Sequence, residues 1–220
     1  MSTLLIRLVA PLQSWGTQSH LTMRDTGLEP SKSGLVGLLC AALGRPRYAP
    51  LDDLAGLNMG VRIDRPGTIQ KDFQVVQNVL EADGKGKKNI IGNRYFLANA
   101  AFLAGIEGDP DLLQQIQNAL QKPVWPLYLG RKAFIPAAPL FLKDGLRKGQ
   151  NLIEALRDFG WLVHWPADKA PQQVLLVLDD PRGSQLRNDV PLSFAERTFT
   201  SRRVSTRLVD APDSELQEVF

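Results

Sequence analysis

Between residues 3 and 10 apolar side chains alternate, with Leu5 and Val9 on one face and Leu4, Ile6 and Leu8 on the other. A strand covered on both faces is predicted, interrupted only by Arg7 and closed by Pro11, which has no N–H to give to a ladder. A polar, irregular stretch follows to Pro30. Leu35, Leu38, Leu39 and Leu43 then recur at helical spacing, with Ser31 or Ser33 as the N-cap and Gly44 as the stop. Gly34, Gly37, Ala41 and Ala42 make this helix slim enough to approach a sheet closely. Residues 59–64 alternate as a strand that ends at the Pro66-Gly67 turn. Phe73, Val75 and Val79 predict another, which runs into a polar tip at 81–88 and returns over 93–98. A long β-hairpin projecting from the body is expected. Residues 100–106 read as a strand, and Asp109-Pro110 opens a helix striped by Leu112, Leu113, Ile116 and Leu120.

With an apolar stretch at 124–129 after that helix, the order is strand, helix, strand, hairpin insertion, strand, helix, strand. It matches the βαββαβ split unit, the ferredoxin-like or RNA-recognition-motif (RRM-like) arrangement of the α+β class. From Gly130 on the chain is rich in proline and glycine, with a helix at 151–159 and an apolar strand at 173–178. An irregular C-terminal β region is expected there. No linker or repeat divides residues 1–220, so a single domain is expected.

The chain has 220 residues, 44% hydrophobic and 22% charged, an ordinary globular composition. At this length it buries about 70% of its unfolded surface and needs no metal or disulfide to fold. Its longest apolar run, 34–43, is about half of a bilayer-spanning helix, and no secretory pattern opens it. One cysteine, Cys40, allows no internal disulfide. A cytoplasmic protein with no membrane partner is expected. Net charge is only +3, but six arginines (182, 187, 197, 202, 203, 207) face just Asp189 and Glu196 between residues 182 and 207. Residues 208–220 form a short acidic tail.

Cys40, His20 and His164 make no metal-ligand spacing, and phosphate-binding loops, dinucleotide fingerprints and nucleophile elbows are missing. No cofactor is expected, and Cys40 reads as helix packing. Metal-free RNA cleavage would need a proton donor and acceptor. His20, with Lys32 or Tyr48, could in principle serve, but His20 reads first as a loop residue satisfied by backbone and His164, between Trp161 and Trp165, as half-buried structure. What accumulates instead is phosphate-binding chemistry. Lys85, Lys87 and Lys88 sit at the hairpin tip, Gly130-Arg131-Lys132 follow Trp125 and Tyr128, and the arginine-dense segment comes last. Lys32 at a helix start makes an anion site, though every capped helix has free amides. Trp15 and Trp125 read as core or as stacking surfaces.

Five strings carry a resemblance: residues 11–16 (PLQSWG), 30–39 (PSKSGLVGLL), 122–132 (KPVWPLYLGRK), 139–141 (PLF) and 194–197 (FAER). In this order they resemble the handle-binding backbone subunits of type I-E CRISPR Cascade complexes, a family of the RAMP superfamily. The resemblance spans residues 3 to about 205. It implies a palm with a thumb hairpin at about 70–99, and a non-catalytic subunit that holds the 5′ handle of the crRNA. It also implies contacts with the neighbouring backbone filament subunit and the large subunit, and with target DNA only indirectly. Carried over, Gln13, Ser14, Trp15 and Gly16 form a handle-contacting loop, Lys32 and Ser33 a phosphate clamp, and Gly130, Arg131 and Lys132 a basic loop. Lys85, Lys87, Lys88 and Arg94 belong to the thumb, and Arg197, Arg202 and Arg203 are further RNA contacts. Cutting relatives in type I-C systems use a Tyr, Lys and His cluster, and this chain has no adjacent Lys-His pair. The alternative is a metal-independent RAMP endoribonuclease that processes repeat RNA.

Overall fold

A computed structural model describes residues 1–18, 22–166 and 168–212. In chain order the elements are β1 (Ser2–Val9), β2 (Leu12–Gln13), β3 (Met23–Arg24), α1 (Lys32–Leu43), α2 (Asp52–Ala55), β4 (Asn58–Arg65), β5 (Thr68–Leu80) and β6 (Lys87–Ala98). There follow β7 (Ala101–Gly108), α3 (Pro110–Gln121), β8 (Phe141–Lys148), α4 (Leu152–Asp158), β9 (Gln173–Asp179), β10 (Gln185–Ser193) and β11 (Thr198–Asp210).

β1 lies between β7 and the edge strand β8 in a seven-stranded sheet of order β10-β11-β9-β4-β7-β1-β8, in which every neighbouring pair is antiparallel. Its alternation feeds two cores. Leu4, Ile6 and Leu8 pack with Leu35 and Leu39 of α1 and with Leu113 and Ile116 of α3, while Leu5 joins Leu103, Leu176 and the α4 residues Leu152 and Leu156. Arg7, which the pattern marked as an interruption, is itself buried, and burial pushes its guanidinium pKa down.

Local chemistry sets the helix ends. Ser31 Oγ accepts from the Gly34 N–H, and Gly44 closes α1 at φ 71°, a conformation that glycine reaches without a Cβ penalty. Asp109 caps α3 through the N–H groups of Asp111 and Leu112, with Pro110 in the first turn. Cys40 is buried in α1, where burial pushes its thiol pKa up, in keeping with a packing role.

The apolar residues at 124–129 do not form the expected strand. The Val124 and Trp125 N–H groups donate instead to Ala42 and Ala41 carbonyls, capping the end of α1, and β8 takes the place beside β1. The C-terminal region is more regular than expected. β9, β10 and β11 extend the same sheet, and irregular backbone is concentrated at 122–140, 159–166 and 168–172. β10 and β11 are half-exposed strands rich in Arg, Ser and Thr, which hides their period. His164 is exposed rather than half-buried.

β5 and β6 pair antiparallel from Thr68–Ala98 to Leu80–Lys87. The base of β6 is fixed by β2, where Leu12 pairs with Ala98, and by β3, which runs parallel with Arg24 opposite Arg94. Among the described residues no helix is long and apolar enough to cross a membrane. Of the acidic tail, Asp213, Glu215 and Glu218 lie outside the described residues.

Candidate nucleic-acid interface

Where the loop after β2, the start of α1, the base of β6, the 130–131 loop and the β10–β11 hairpin converge, a cavity of about 420 Å³ opens. Ser14 and Gly16 line it from the first loop, Arg24 and Arg94 from the β3–β6 pairing, and Ser33 and Gly34 from the first turn of α1. Trp15, Ser31, Gly130, Arg131, Phe194 and Phe199 complete the wall, with Asp25 the one carboxylate among the described residues. Three guanidiniums against one carboxylate make it an anion site.

Two loops are interlocked to build it. Ser14 N–H donates to Leu129 O at 3.1 Å, and Gly130, at φ 91°, lies so close that a Cβ would meet the Ser14 carbonyl oxygen at 1.7 Å. Only glycine passes there. Next to it, Arg131 Nη2 donates to Tyr95 O at 2.7 Å, and its guanidinium carbon stands 5.3 Å from the Phe134 ring centroid. Burial foremost, then the like charge of Arg94 and Arg24, push the Arg131 pKa down, against the opposing pull of Asp72 and Asp25. An arriving phosphate would relieve that repulsion. The Asp25 carboxylate accepts from the Thr17 and Gln18 N–H groups and so shapes the rim.

The residues expected from sequence divide. Ser14, Trp15, Gly16, Ser33, Arg94, Gly130 and Arg131 come together in the cavity wall. Lys132 is exposed beside Arg131. Gln13 does not line the cavity, and Trp15 does so with almost no exposed surface. Trp15 is only 2% exposed, its Nε1 donates to Gln13 Oε1, and Gln13 Nε2 donates to the Leu8 and Ala100 carbonyls. Both side chains are enclosed, and they support the loop rather than present a stacking face. Trp15 also packs on α1, where a Cβ at Gly34 would come within 2.9 Å of its ring.

Lys32 and Arg202 are committed elsewhere. Lys32 is only 7% exposed: its ammonium pairs with Asp179 at 3.0 Å, and its backbone N–H donates to Asp189. Arg202 bridges Asp189 and Asp179. Burial alone would lower its pKa, but those two carboxylates outweigh burial and raise it. The expected clamp is thus an internal ion network that fixes the α1 start, and Ser33 alone of the pair lines the cavity. Arg203 donates to Gly183 O, and Arg197 sits exposed at φ 58° in the β10–β11 turn. Lys85, Lys87 and Lys88 are exposed at the hairpin tip, away from the cavity. For the nuclease alternative, Tyr48 is exposed, Lys32 is ion-paired and His20 lies outside the described residues. Among the described residues no group of three or more His, Cys, Asp or Glu is placed to hold a metal ion.

Sequence reasoning missed Arg24 and Phe199. Arg24 lies in a polar stretch, and only the parallel β3–β6 register brings it beside Arg94.

This architecture is shared with CRISPR-associated proteins. A solved structure described as a crystal structure of a Cas protein is 42% identical, with a TM-score of 0.80 over 96% of this chain and 98% of that one. Residues 3–205 match the family described as CRISPR-associated protein (Cas_Cas5), and the chain belongs to that family. It is 32% identical over 162 residues to the CRISPR system Cascade subunit CasD of Escherichia coli (strain K12), spanning 64% of this chain and 70% of that one. A chain of a CRISPR RNA-guided surveillance complex is 33% identical, with a TM-score of 0.82 over 98% of this chain and 93% of that one. The resemblance carried by the five strings agrees with these matches.

Proposed function

We propose that this chain is a non-catalytic subunit of a Cascade-type surveillance complex and that it grips the 5′ handle of the crRNA in the arginine-lined cavity. The observation that carries this is the convergence of Arg24, Arg94 and Arg131 with the first turn of α1 around one space. Such a site offers cations held in place by the fold, which hold a phosphodiester. Arginine stays protonated in proteins and takes no proton from a 2′-hydroxyl, so the groups gathered here bind rather than cleave.

The finer fold reading has the same kind of support. Strand order β4-β7-β1-β8, with α1 and α3 on one face, follows the ferredoxin-like, RRM-like palm of a single domain, and the β5–β6 hairpin is its thumb. The similarity to a Cascade subunit and to a surveillance-complex chain supports crRNA, the filament subunit and the large subunit as partners, with target DNA reached through the guide.

Ultraviolet crosslinking of the chain to the 5′-handle RNA of its own repeat, mapped by mass spectrometry, tests the proposal. Crosslinks are expected at residues 14–16, 94 and 130–132. Crosslinks confined to other surfaces, or site-specific cutting of repeat RNA in EDTA, would overturn it.

A further inference from the structure

A second cavity, of about 580 Å³, opens beside the first and shares Ser33, Gly34, Gly130 and Phe194 with it. Its remaining walls are of another kind. Gly37 and Ala41 of α1 leave one side low and flat, and the rings of Trp125 and Tyr128, 44% and 37% exposed, line it from the segment after α3. Arg45 and Arg47 stand at its far end.

These walls are built in advance. Trp125 N–H donates to the Ala41 carbonyl, so the tryptophan is fixed to the last turn of α1. Arg47 Nη2 donates to the Phe194 carbonyl at 2.7 Å, which holds the aromatic residue common to both cavities. Arg45 is tied to Asp53 by both terminal nitrogens. None of the described residues fills the slot, although its aromatic lining is apolar surface that a folded chain ordinarily covers.

A nucleotide has the same division: an anionic phosphate and a flat apolar base joined by a short sugar. Single-stranded RNA is held by cationic grooves that track phosphates and by aromatic side chains on which splayed bases stack. We infer that the second cavity seats one nucleobase of the bound RNA, stacked on Trp125, while a phosphate of the same stretch lies against Arg24, Arg94 and Arg131. The inference rests on the handle-binding reading above and adds to it a base subsite. An apolar side chain from a neighbouring subunit is the competing occupant. Continuity with the arginine-lined cavity, and the charge of Arg47, which among the described residues is bonded only to a carbonyl, favour the nucleotide.

The test titrates the full-length chain with its own 5′-handle RNA and with a set of handle RNAs that each carry one abasic nucleotide. Wild type is compared with Trp125→Ala and with Trp125→Phe, which keeps a stacking ring. Base–aromatic stacking is worth enough to weaken binding about fivefold or more when the ring is removed. Trp125→Ala is expected to lose that factor on intact RNA, one abasic position is expected to lose a similar factor on wild type, and combining them is expected to add nothing further. Trp125→Phe should retain most of the affinity. Tryptophan fluorescence should be quenched by intact RNA, and that quenching should disappear in Trp125→Phe and with the same abasic RNA, a readout independent of fold stability.

If Trp125→Ala and every abasic position act independently, or Trp125→Ala binds intact RNA as wild type does, the base subsite is wrong. If Trp125→Ala instead strips a neighbouring subunit from the copurified complex while RNA binding persists, the slot belongs to a protein, and the inference again fails. Failure of the handle-binding reading looks different: no RNA, intact or abasic, would then bind with a steep dependence on salt.

Discussion

Gly130 and the Ser14 carbonyl approach so closely that no side chain can come between them, a Cβ being placed 1.7 Å from the oxygen. This contact locks the loop carrying Ser14 and Gly16 to the loop carrying Arg131, and so sets the width of the arginine-lined cavity. Gly130→Ala must move one backbone and also hold alanine at φ 91°. A loss of more than about 2 kcal/mol is expected, measured by urea unfolding, together with weaker handle binding. Gly84→Ala is the control. It has a similar φ of 71° with nothing within 4 Å, and should cost only about 1 kcal/mol and leave RNA binding alone.

Lys32 and Arg131 are both cations near the start of α1 and the cavity, yet only Arg131 lines it. Arg131→Ala should weaken handle binding by about 1–3 kcal/mol and flatten the dependence of log K on log salt by about 0.7 for each phosphate that is no longer neutralised. Arg131→Lys should recover little, because an ammonium cannot both donate to the Tyr95 carbonyl and present a planar cation beside Phe134. Lys32→Ala should lower stability and leave the salt slope unchanged, since its ammonium is held by Asp179. A flattened slope in Lys32→Ala would show that the lysine swings out to RNA.

The core beneath α4 is tied to β4 by a buried ion pair. Arg62 and Asp64, fully enclosed, pair through Arg62 Nε and Asp64 Oδ1 at 2.7 Å, and the guanidinium also donates to the carbonyls of Leu156, Phe159 and Gly160. Asp64 in turn accepts from Leu162 N–H. The pair thus ends α4 and pins the 159–162 segment to β4. Arg62→Ala strands a buried carboxylate and three carbonyls, and a loss of about 3–5 kcal/mol is expected by denaturant unfolding. Neither residue lines the cavity, so the fraction that remains folded should bind handle RNA with unchanged affinity.

The sequence made legible what depends on near neighbours. The caps at Ser31, Gly44 and Asp109, the two-faced β1 and the hairpin of β5 and β6 follow from residue types at fixed spacing. Partners far apart in the chain were not legible. The 124–129 segment has a strand's apolarity, but the N–H groups of Val124 and Trp125 go to the end of α1, because those carbonyls lack partners of their own. Lys32 looks free in sequence and is neutralised by Asp179, 147 positions away. In the same way Trp15, beside exposed Gly16, turns inward because Gln13 offers its indole an acceptor, whereas Arg24 enters the site through a register that no local pattern encodes.

The ion network at the start of α1 makes stability depend on acid. Burial would raise the Asp189 pKa, but hydrogen bonds from Arg202 and the Lys32 N–H, with the charge of both residues, bring it below the ordinary carboxylate value. A carboxylate with a depressed folded pKa contributes stability that is fully present above its unfolded pKa of about 3.9 and is lost as pH falls through the folded one. Unfolding free energy should therefore hold steady above about pH 5 with respect to this group and decline below about pH 4. Asp189→Asn should cost about 3 kcal/mol at pH 7, since it leaves Arg202 and Lys32 to share Asp179 alone. Its acid decline should also be shallower than that of wild type, because the titrating group is gone. Because Asp189 holds the Lys32 N–H at the helix start, the same variant should weaken handle binding at pH 7 while its salt slope stays as in wild type, the number of neutralised phosphates being unaltered.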